Sequence, residues 1–388
     1  MAEESVARCV ELSNRLVERV LAPIKASFVG KDNIVDLMGV CLVGREHLFL
    51  FGPPGTAKSA LVNELGRRID GQVFDYLLTR FTEPNELFGP FDIRKLREGE
   101  LVTNTEGMLP EASLVFLDEL LNANSAILNS LLMTLNERVF RRGRETRPLP
   151  MLMAVGASNH LPEEDALRAL FDRFLVRVRC DNVSQEQLSS VLHAGWRLES
   201  RGDDLTEGMS TDEILSLQRM VREVNVEQVL PVYIELIHRL RHAGIEISDR
   251  RAVKFQRLIA ASAVLCGRMH AESSDLWVLR HTWDTEDQEE IIRALVQQVI
   301  DTPASHETGP RHPQSSGEDK PDAEALASDL VRIKERLEGE TRVSDADRRY
   351  LRDRLSLLSG RSEWVTDTTP REELKKRIEE LWSLLGSD

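Results

Sequence analysis

This chain has few cysteines, fewer basic than acidic residues, and no long apolar runs. The four cysteines among its 388 residues, Cys9, Cys41, Cys180 and Cys266, have no paired spacing. Neither a disulfide framework nor a zinc site is therefore expected, as is typical of a reducing compartment. Because 65 acidic residues outnumber 50 Lys and Arg, the net charge is −15. This charge argues against general binding to a phosphate backbone, although a local basic patch is compatible with it.

The N-terminus and the hydropathy pattern exclude two further classes. Residues 2–5 lack the basic start and the apolar core of a signal peptide. No window approaches the roughly 18 uninterrupted apolar residues of a transmembrane helix. With 41% hydrophobic and 30% charged residues, the chain can bury a core and keep a solvated surface. We therefore expect a cytoplasmic protein that does not insert into membranes.

The most informative stretch is residues 49–59, where an apolar run leads into a Gly/Pro turn and then into a helix-compatible segment. A strand, a glycine-rich loop and a helix, in that order, let backbone N–H groups and a helix N-terminus converge on one anion. Lys58 would reach the β- and γ-phosphates of a nucleotide, and the Ser59 hydroxyl would hold Mg²⁺. The residues predicted to contact the nucleotide are Gly52, Pro53, Pro54, Gly55, Thr56, Ala57, Lys58 and Ser59.

Ala57 departs from the usual pattern, in which glycine precedes the lysine. Gly52 and Gly55 would let the loop curl, but alanine is tolerated before the lysine only if its φ is negative. If that position needs a positive φ, the loop is strained. The alternative interpretation of the whole stretch is an ordinary strand–turn–helix with a chance lysine.

A second motif combines a buried strand with two carboxylates. Residues 114–117 are consecutively apolar, which is typical of a central parallel strand, and Asp118 and Glu119 follow at its end. Open α/β sheets bind their ligands at this edge. Asp118 would support Mg²⁺, directly or through a water, and Glu119 would polarise a water for attack on the γ-phosphate. The alternative is a helix cap after a strand.

The order of the patterns predicts four regions. Residues 1–182 alternate strand and helix, which indicates a parallel sheet with helices on both faces. Residues 183–300 show only helical periods, and residues 301–321 have the composition of a flexible linker. Apolar stripes in residues 322–388 predict a region of three helices.

Two groups of arginines have an open interpretation. Residues 137–147 predict a hairpin with Gly143 at its tip, which is either a solvated turn or a basic loop that faces a pore or a polyanion. Arg250 and Arg251 follow a capping Ser248 or Asp249, and cations in a first helical turn are unfavourable unless they face an anion. The alternative is two solvated arginines.

Several stretches together resemble the AAA+ ATPases. The similarity rests, in order and spacing, on residues 52–59 (Walker A), 114–119 (Walker B), 158–159, 172–174 and 248–251. Residues 79–89, 131–140 and 156–159 are similar to the MoxR family, near its RavA-like branch. The resemblance covers roughly residues 5–300.

The resemblance implies an α/β nucleotide-binding core, a helical lid and a ring, usually hexameric, with ATP at the subunit interfaces. It assigns the phosphate and Mg²⁺ contacts to Lys58 and Ser59, and the metal and water carboxylates to Asp118 and Glu119. Asn159 would be the first sensor. The arginine finger offered to the neighbouring subunit would be Arg173, with Arg168 as its rival, and the lid sensor would be Arg251, with Arg250 as its rival. Alanine at position 57 is common in this family.

The function implied is an Mg²⁺-dependent ATPase that remodels or matures a protein partner, as a chaperone does. MoxR-like proteins commonly act with partners that contain a von Willebrand factor A (vWA) domain. One alternative is a nucleotide-switched scaffold with low turnover. The other is a nucleic-acid motor, which only the basic residues 138–147 support and which the acidic net charge makes unlikely.

Overall fold

The computed structural model describes residues 2–142, 145–200, 208–302 and 309–315, together with residues 327, 330–331, 333–334, 337, 351, 355, 358–359 and 368–385. They fall into two compact units, residues 1–315 and 316–388. Within these described segments, no helix is both long enough and apolar enough to cross a bilayer.

The first unit is built on a five-stranded parallel sheet with the strand order β3-β4-β7-β1-β8. Strands β1, β4 and β7 are buried along almost their whole length, because helices cover both faces of the sheet. A short parallel pair, β2 with β9, and an antiparallel hairpin of β5 and β6 lie outside it. The strands are β1 (Leu48–Phe51), β2 (Ile69–Asp70), β3 (Val73–Leu77), β4 (Leu114–Asp118), β5 (Val139–Arg142), β6 (Glu145–Pro148), β7 (Met153–Ser158), β8 (Val176–Arg179) and β9 (Met209–Ser210).

Helices connect the strands and then form a separate helical region after β8. The predicted α/β fold, a parallel sheet followed by an all-helical lid, is confirmed, apart from the two-residue strand β9. The helices of this unit are α1 (Ala2–Arg15), continued by a π-helix (Leu16–Leu21), α2 (Ala22–Ser27), α3 (Asp32–Gly44), α4 (Lys58–Arg68), α5 (Pro84–Phe88), α6 (Ile93–Arg97), α7 (Ser125–Glu137), α8 (Asp165–Phe171), α9 (Leu188–Ser200), α10 (Thr211–Met220), α11 (Leu230–His242), α12 (Asp249–Leu265) and α13 (Glu286–Ile300). The 3₁₀ segments are Leu109–Glu111, Leu120–Asn122, Gln185–Gln187, Val221–Glu223, Ser273–His281 and Pro313–Ser315.

The register of the strands fixes where their ends lie. Phe51, the last residue of β1, pairs with Ser158 of β7 and with Arg179 of β8. Leu117 of β4 pairs with Gly156 of β7. Because all five strands are parallel, their carboxyl ends meet at one edge of the sheet and their amino ends at the other. The loops after β1, β4 and β7 therefore share one edge.

The hairpin predicted over residues 137–147 is present in its described part, and two of its arginines, Arg138 and Arg142, bind within the chain. Arg138 donates to the carbonyls of Met151 (2.6 Å) and Leu152 (2.8 Å). Arg142 donates to the Gly89 carbonyl and lies 4.3 Å from the Phe91 ring centroid. Arg138 and Arg142 thus attach the hairpin to the sheet and to residues 84–103, whereas Arg141, whose side chain is 53% exposed, pairs with Glu137 at 2.8 Å. The bonds of Arg138 and Arg142 weaken the support that residues 138–147 gave to a polyanion site.

A buried charged network organises the helical region. The carboxylate of Asp275 accepts from Arg268 (2.8 and 2.9 Å), from the Ser262 hydroxyl (2.8 Å) and from the backbone N–H of Glu272 (2.9 Å). Burial raises the pKa of Asp275. A buried carboxylate is retained at such a position only when all its acceptor sites are occupied, as they are here.

Part of the predicted linker is held against the first unit. Arg268 donates to the Pro310 carbonyl (3.0 Å), His312 stacks on Trp277 with ring centroids 4.5 Å apart, and Gln314 donates to Asp36 (3.0 Å). Residues 309–315 therefore connect the helical region to α3. Residues 303–308 and 316–321 lie outside the described residues, so the boundaries at 301 and 321 stay a prediction.

The second unit has a hydrophobic core of its own. The predicted apolar stripes contribute to it from three segments, the last of which is α14 (Thr368–Leu385). Tyr350, Leu326 and the side chains of the predicted capping box at Thr369–Glu372, apart from Glu372 itself, lie outside the described residues. The buried residues of this core are Leu330, Ile333, Leu351, Leu355, Leu358, Leu374, Ile378 and Leu381.

Replacement of Asp275 should destabilise the first unit strongly. In Asp275→Ala, the buried Arg268 loses its two short hydrogen bonds to a carboxylate and keeps Glu272 only at 3.8 Å, which should lower the free energy of unfolding by about 3–5 kcal/mol. The matched control is Glu235→Ala, which removes an exposed pair with Arg239 and should cost less than about 1 kcal/mol. Urea unfolding followed by the fluorescence of the buried Trp277 and Trp283 measures both. Equal losses in the two variants would contradict the role given to Asp275.

Candidate nucleotide-binding site

Two glycines shape the loop after β1 for different reasons. Gly55 has a φ of +82°, a conformation that glycine adopts without strain. Gly52 is needed for close packing, since a Cβ atom there would lie 2.3 Å from the carbonyl oxygen of Cys180. The Cys180 thiol in turn donates to the Thr56 carbonyl (3.3 Å). The position of the loop is therefore fixed by contacts with the end of β8 as well as by the backbone conformation of its glycines.

The sequence left open whether the φ of Ala57 is negative or positive, and the structure shows the strained, positive value. It is the N-cap of α4 with a φ of 66° and a ψ of 26°. The left-handed conformation costs an alanine roughly 1–2 kcal/mol. Glu119, at the neighbouring motif, is also left-handed, with a φ of 49°. Strained residues of this kind persist where the surrounding structure holds them, and they concentrate at functional sites.

Lys58 is a buried cation inside the loop. Only 6% of the residue is exposed, and its amine donates to the carbonyls of Gly52 (2.8 Å) and Pro53 (2.9 Å). No ion pair between this amine and a carboxylate is found in the described part of the chain. A buried ammonium at a helix N-terminus, held by carbonyl oxygens alone, fits an anionic ligand.

The two carboxylates of the second motif lie at the same edge of the sheet as the loop. Asp118 is the last residue of β4, and its Oδ1 accepts from the backbone N–H of Glu119 (3.0 Å). Asn159 directly follows β7, which lies between β4 and β1. The strand order therefore brings together Lys58, Asp118 and Asn159. Exposed Ser59 adds a hydroxyl at the start of α4, so the donor set of hydroxyl and carboxylate oxygens fits Mg²⁺ beside a phosphate.

Arg173 lies at the opposite edge of the sheet. It precedes β8, six residues before Arg179, which pairs with Phe51 at the end of β1. At about 3.3 Å per residue, the two edges are separated by roughly 15–20 Å. The buried Nε atom of Arg173 has no hydrogen-bond partner among the described residues. Its rival Arg168 lies within α8 and pairs with Asp165 at 3.5 Å.

The two lid arginines have different surroundings. Arg251 is buried and donates to Asp284 (2.7 Å) and to the Thr282 carbonyl (2.9 Å). Arg250 is exposed and donates to Asn136, at the end of α7, at 3.3 Å. Arg250 therefore has the more accessible guanidinium of the two. The sensor role itself stays a prediction for both.

The sequence did not reveal which carboxylate binds Arg251; in the structure it is Asp284. The fully buried Arg177 shares the carboxylate of Asp284, at 2.7 Å, and donates to the Trp283 carbonyl at 2.6 Å. Burial lowers the pKa of Arg177 to about 10. This network joins β8 to the helical region. The signal was present, because an arginine between Val176 and Val178 in an apolar strand requires a buried acceptor.

Comparison with known proteins agrees with this geometry. The model of the MoxR domain in MoxR-vWA-beta-propeller ternary systems matches residues 14–219, and that of an AAA lid domain matches residues 228–296. An uncharacterised protein of Methanocaldococcus jannaschii is 35% identical over 289 residues, 74% of each chain. Chaperone MoxR1 of Mycobacterium tuberculosis is 27% identical over 222 residues, 56% of this chain and 57% of its own. The crystal structure of a candidate ATPase from Cytophaga hutchinsonii has a TM-score of 0.62 at 18% identity, covering 77% of this chain and 96% of its own, and supports the fold alone.

The sheet, the phosphate-type loop and the helical lid define the AAA+ class of nucleotide-binding proteins. Within that class, the chain belongs to the MoxR family of AAA+ ATPases, because the family model covers more than half of it. The RavA-like branch stays a prediction.

Relief of the strain at Ala57 should be measurable. In Ala57→Gly, the loss of about 1–2 kcal/mol of left-handed strain exceeds the entropy that glycine adds to the unfolded chain, about 0.4–1 kcal/mol. We expect a gain in the free energy of unfolding. The control Ala60→Gly, an exposed position within α4, should lose about 1 kcal/mol. Urea unfolding of both variants gives the signs, and a loss in Ala57→Gly would refute the strain.

Proposed function

We propose that the protein is an Mg²⁺-dependent ATPase. The observation that carries this proposal is the buried Lys58, whose amine has no carboxylate partner among the described residues, at the edge of the sheet that holds Asp118 and Glu119. Lys58 would hold the β- and γ-phosphates, and Ser59 with Asp118 would hold the ion, which neutralises phosphate charge when bound. Glu119 would take the proton of the attacking water, and Asn159 would orient that water.

The active unit is a ring, and a hexamer is the size that the family implies. Arg173 cannot stabilise charge on the nucleotide of its own chain, because the length of the sheet separates them. It serves as the arginine finger of the next subunit, where its guanidinium completes the site. The partial exposure of Arg173 supports this role, since its guanidinium can be approached by a second copy.

The work done by hydrolysis is the remodelling or maturation of a protein partner with a vWA domain. The description of the matching family model, which names MoxR-vWA-beta-propeller systems, supports this partner, and a relative called a chaperone supports remodelling. We place the protein in the cytoplasm, to which its four free cysteines are suited. A nucleic-acid motor is disfavoured by the acidic net charge and by Arg138 and Arg142 of the hairpin, which donate to acceptors within the chain.

Subunit mixing tests the shared site. Arg173→Ala and Glu119→Gln should each bind ATP yet turn it over about 1,000-fold more slowly than the wild type. In a 1:1 mixture, a Glu119→Gln subunit offers its Arg173 to an Arg173→Ala neighbour that retains Glu119. For a head-to-tail ring this should restore up to about a quarter of wild-type turnover. ATP turnover and mass in solution are measured together.

Two controls make the result specific. Arg168→Ala, four residues into α8, should retain turnover, and Lys58→Ala should lose nucleotide binding altogether. Unchanged turnover in Arg173→Ala, or no recovery on mixing, would exclude an arginine finger in trans. A scaffold with low turnover would then be the better description.

A further inference from the structure

The amino end of the sheet carries a concentration of cations that the acidic composition of the chain does not predict. Lys254 and Arg257 donate to Glu46, directly before β1, at 3.1 and 3.2 Å. Arg250 reaches the end of α7 on the same side. We define the basic face as Arg45, Arg173, Arg222, Arg250, Lys254 and Arg257.

Within the basic face, cations lie beside cations. Burial, and then the neighbouring Arg250, lower the pKa of Arg173. Burial, and then Arg222 and Arg257, lower the pKa of Arg45. Among the described residues, the buried Glu46 pairs with Lys254 and Arg257, and the half-exposed Asp172 interacts with Arg173. These two acids are too few to neutralise six cations. Like charges held together are costly unless an anion from outside compensates them.

The opposite edge carries the complementary charge. Asp181, just beyond β8, pairs with Arg179 at 3.2 Å, and Glu286 pairs with the same arginine at 2.7 Å. Burial raises the pKa of Glu289, and Glu290 and Asp181 add to this rise, whereas Arg293, at 3.2 Å, and Arg179 oppose it. These two arginines are the cations that interact with Glu289 among the described residues, and they are fewer than the acids around them. We define the acidic face as Asp181, Glu286, Asp287, Glu289 and Glu290.

The acidic face adjoins the nucleotide loop. Cys180, the residue before Asp181, donates to Thr56 within that loop, so the face and the loop share the carboxyl edge of the sheet. Each face also has an exposed apolar side chain for the centre of a contact. Val253, three residues from Arg250, is 67% exposed, and Ile291, next to Glu290, is 37% exposed.

We propose that the basic face of one subunit docks on the acidic face of a second copy of this chain. The two faces lie at opposite ends of one sheet, so their contact is head-to-tail, and its repetition closes into a ring. The contact carries Arg173 to the neighbour's nucleotide loop. Charge complementarity fixes this orientation and speeds assembly, because the reversed arrangement sets like charges together. The inference rests on the ring proposed above and names the surfaces that build it.

Charge exchange between the faces is the test. One variant, Arg222→Glu/Arg250→Glu, makes the basic face negative and changes only exposed side chains. The other, Glu286→Lys/Glu290→Lys, makes the acidic face positive. Each variant alone would set like charges against each other, so each should stay monomeric with ATP. In a 1:1 mixture, every interface of an alternating ring pairs opposite charges, so assembly should return to the wild-type mass.

Three controls accompany the exchange. Glu11→Lys/Glu18→Lys, on an exposed part of α1 and its continuation, changes the net charge like the second variant and should assemble normally. Far-UV circular dichroism shows that each variant is folded, and Arg250→Ala, which removes the candidate lid sensor without reversing a charge, should still assemble. Wild-type assembly should weaken as NaCl rises from about 50 to about 500 mM, because salt screens exposed charges.

The outcomes separate this inference from the proposed function. If the wild type does not assemble with ATP, the ring itself is wrong. If the wild type assembles and both variants do so equally well, the ring stands and the charged faces do not build it. If the variants fail alone and their mixture also fails, the basic face does not meet the acidic face. Polyglutamate that binds the wild type but not Arg222→Glu/Arg250→Glu would then assign the basic face to an acidic partner.

Discussion

The common direction of the five strands is the constraint on which the rest of the molecule depends. Parallel strands send every carboxyl end to one edge, where the loop with Lys58 meets Asp118 and Asn159. The same geometry sends Arg173, which precedes β8, to the far edge. A chain with this sheet can therefore hold the phosphate contacts and the carboxylates together, but it cannot add that arginine to its own site. In the proposed ring, the dependence of the site on a second copy follows from strand direction and not from any single residue.

The site illustrates why a functional loop can carry strain. Two of its residues, Ala57 and Glu119, adopt left-handed conformations, and the buried Lys58 is held by backbone carbonyls and by no carboxylate in the part of the chain that the structure describes. Each feature opposes folding by itself. These unfavourable features persist because the surroundings hold the loop in one arrangement. The holding contacts include the close packing of Gly52 on Cys180 and the Cys180–Thr56 hydrogen bond. A site preformed in this way needs little reorganisation when an anion enters.

Sequence reasoning predicted what depends on local pattern, and missed what depends on distant contacts. The strand–loop–helix around Lys58, the carboxylates after β4 and the hairpin at residues 137–147 follow from periodicity and turn chemistry, and all are present. The conformation of Ala57 could not be chosen, because its neighbour Thr56 is held by a hydrogen bond from Cys180, which lies far along the chain. The hairpin arginines were expected to face solvent or a polyanion, yet acceptors far along the chain, such as Gly89, satisfy them. The partner of Arg251 lies 33 residues away at Asp284, beyond any local pattern.

The charge distribution links assembly to the nucleotide in the proposed ring. Phosphates bound beside Lys58 would add negative charge at the edge that already holds the acidic face, and thereby favour contact with the basic face of the next subunit. Thermodynamic linkage then requires a reciprocal effect. If bound ATP raises the affinity between subunits by some factor, assembly raises the affinity for ATP by the same factor. Hydrolysis followed by loss of phosphate would weaken the same contact. A chain with a net charge of −15 thus needs only one cationic face, placed at the amino edge, to make its association sensitive to the state of the nucleotide.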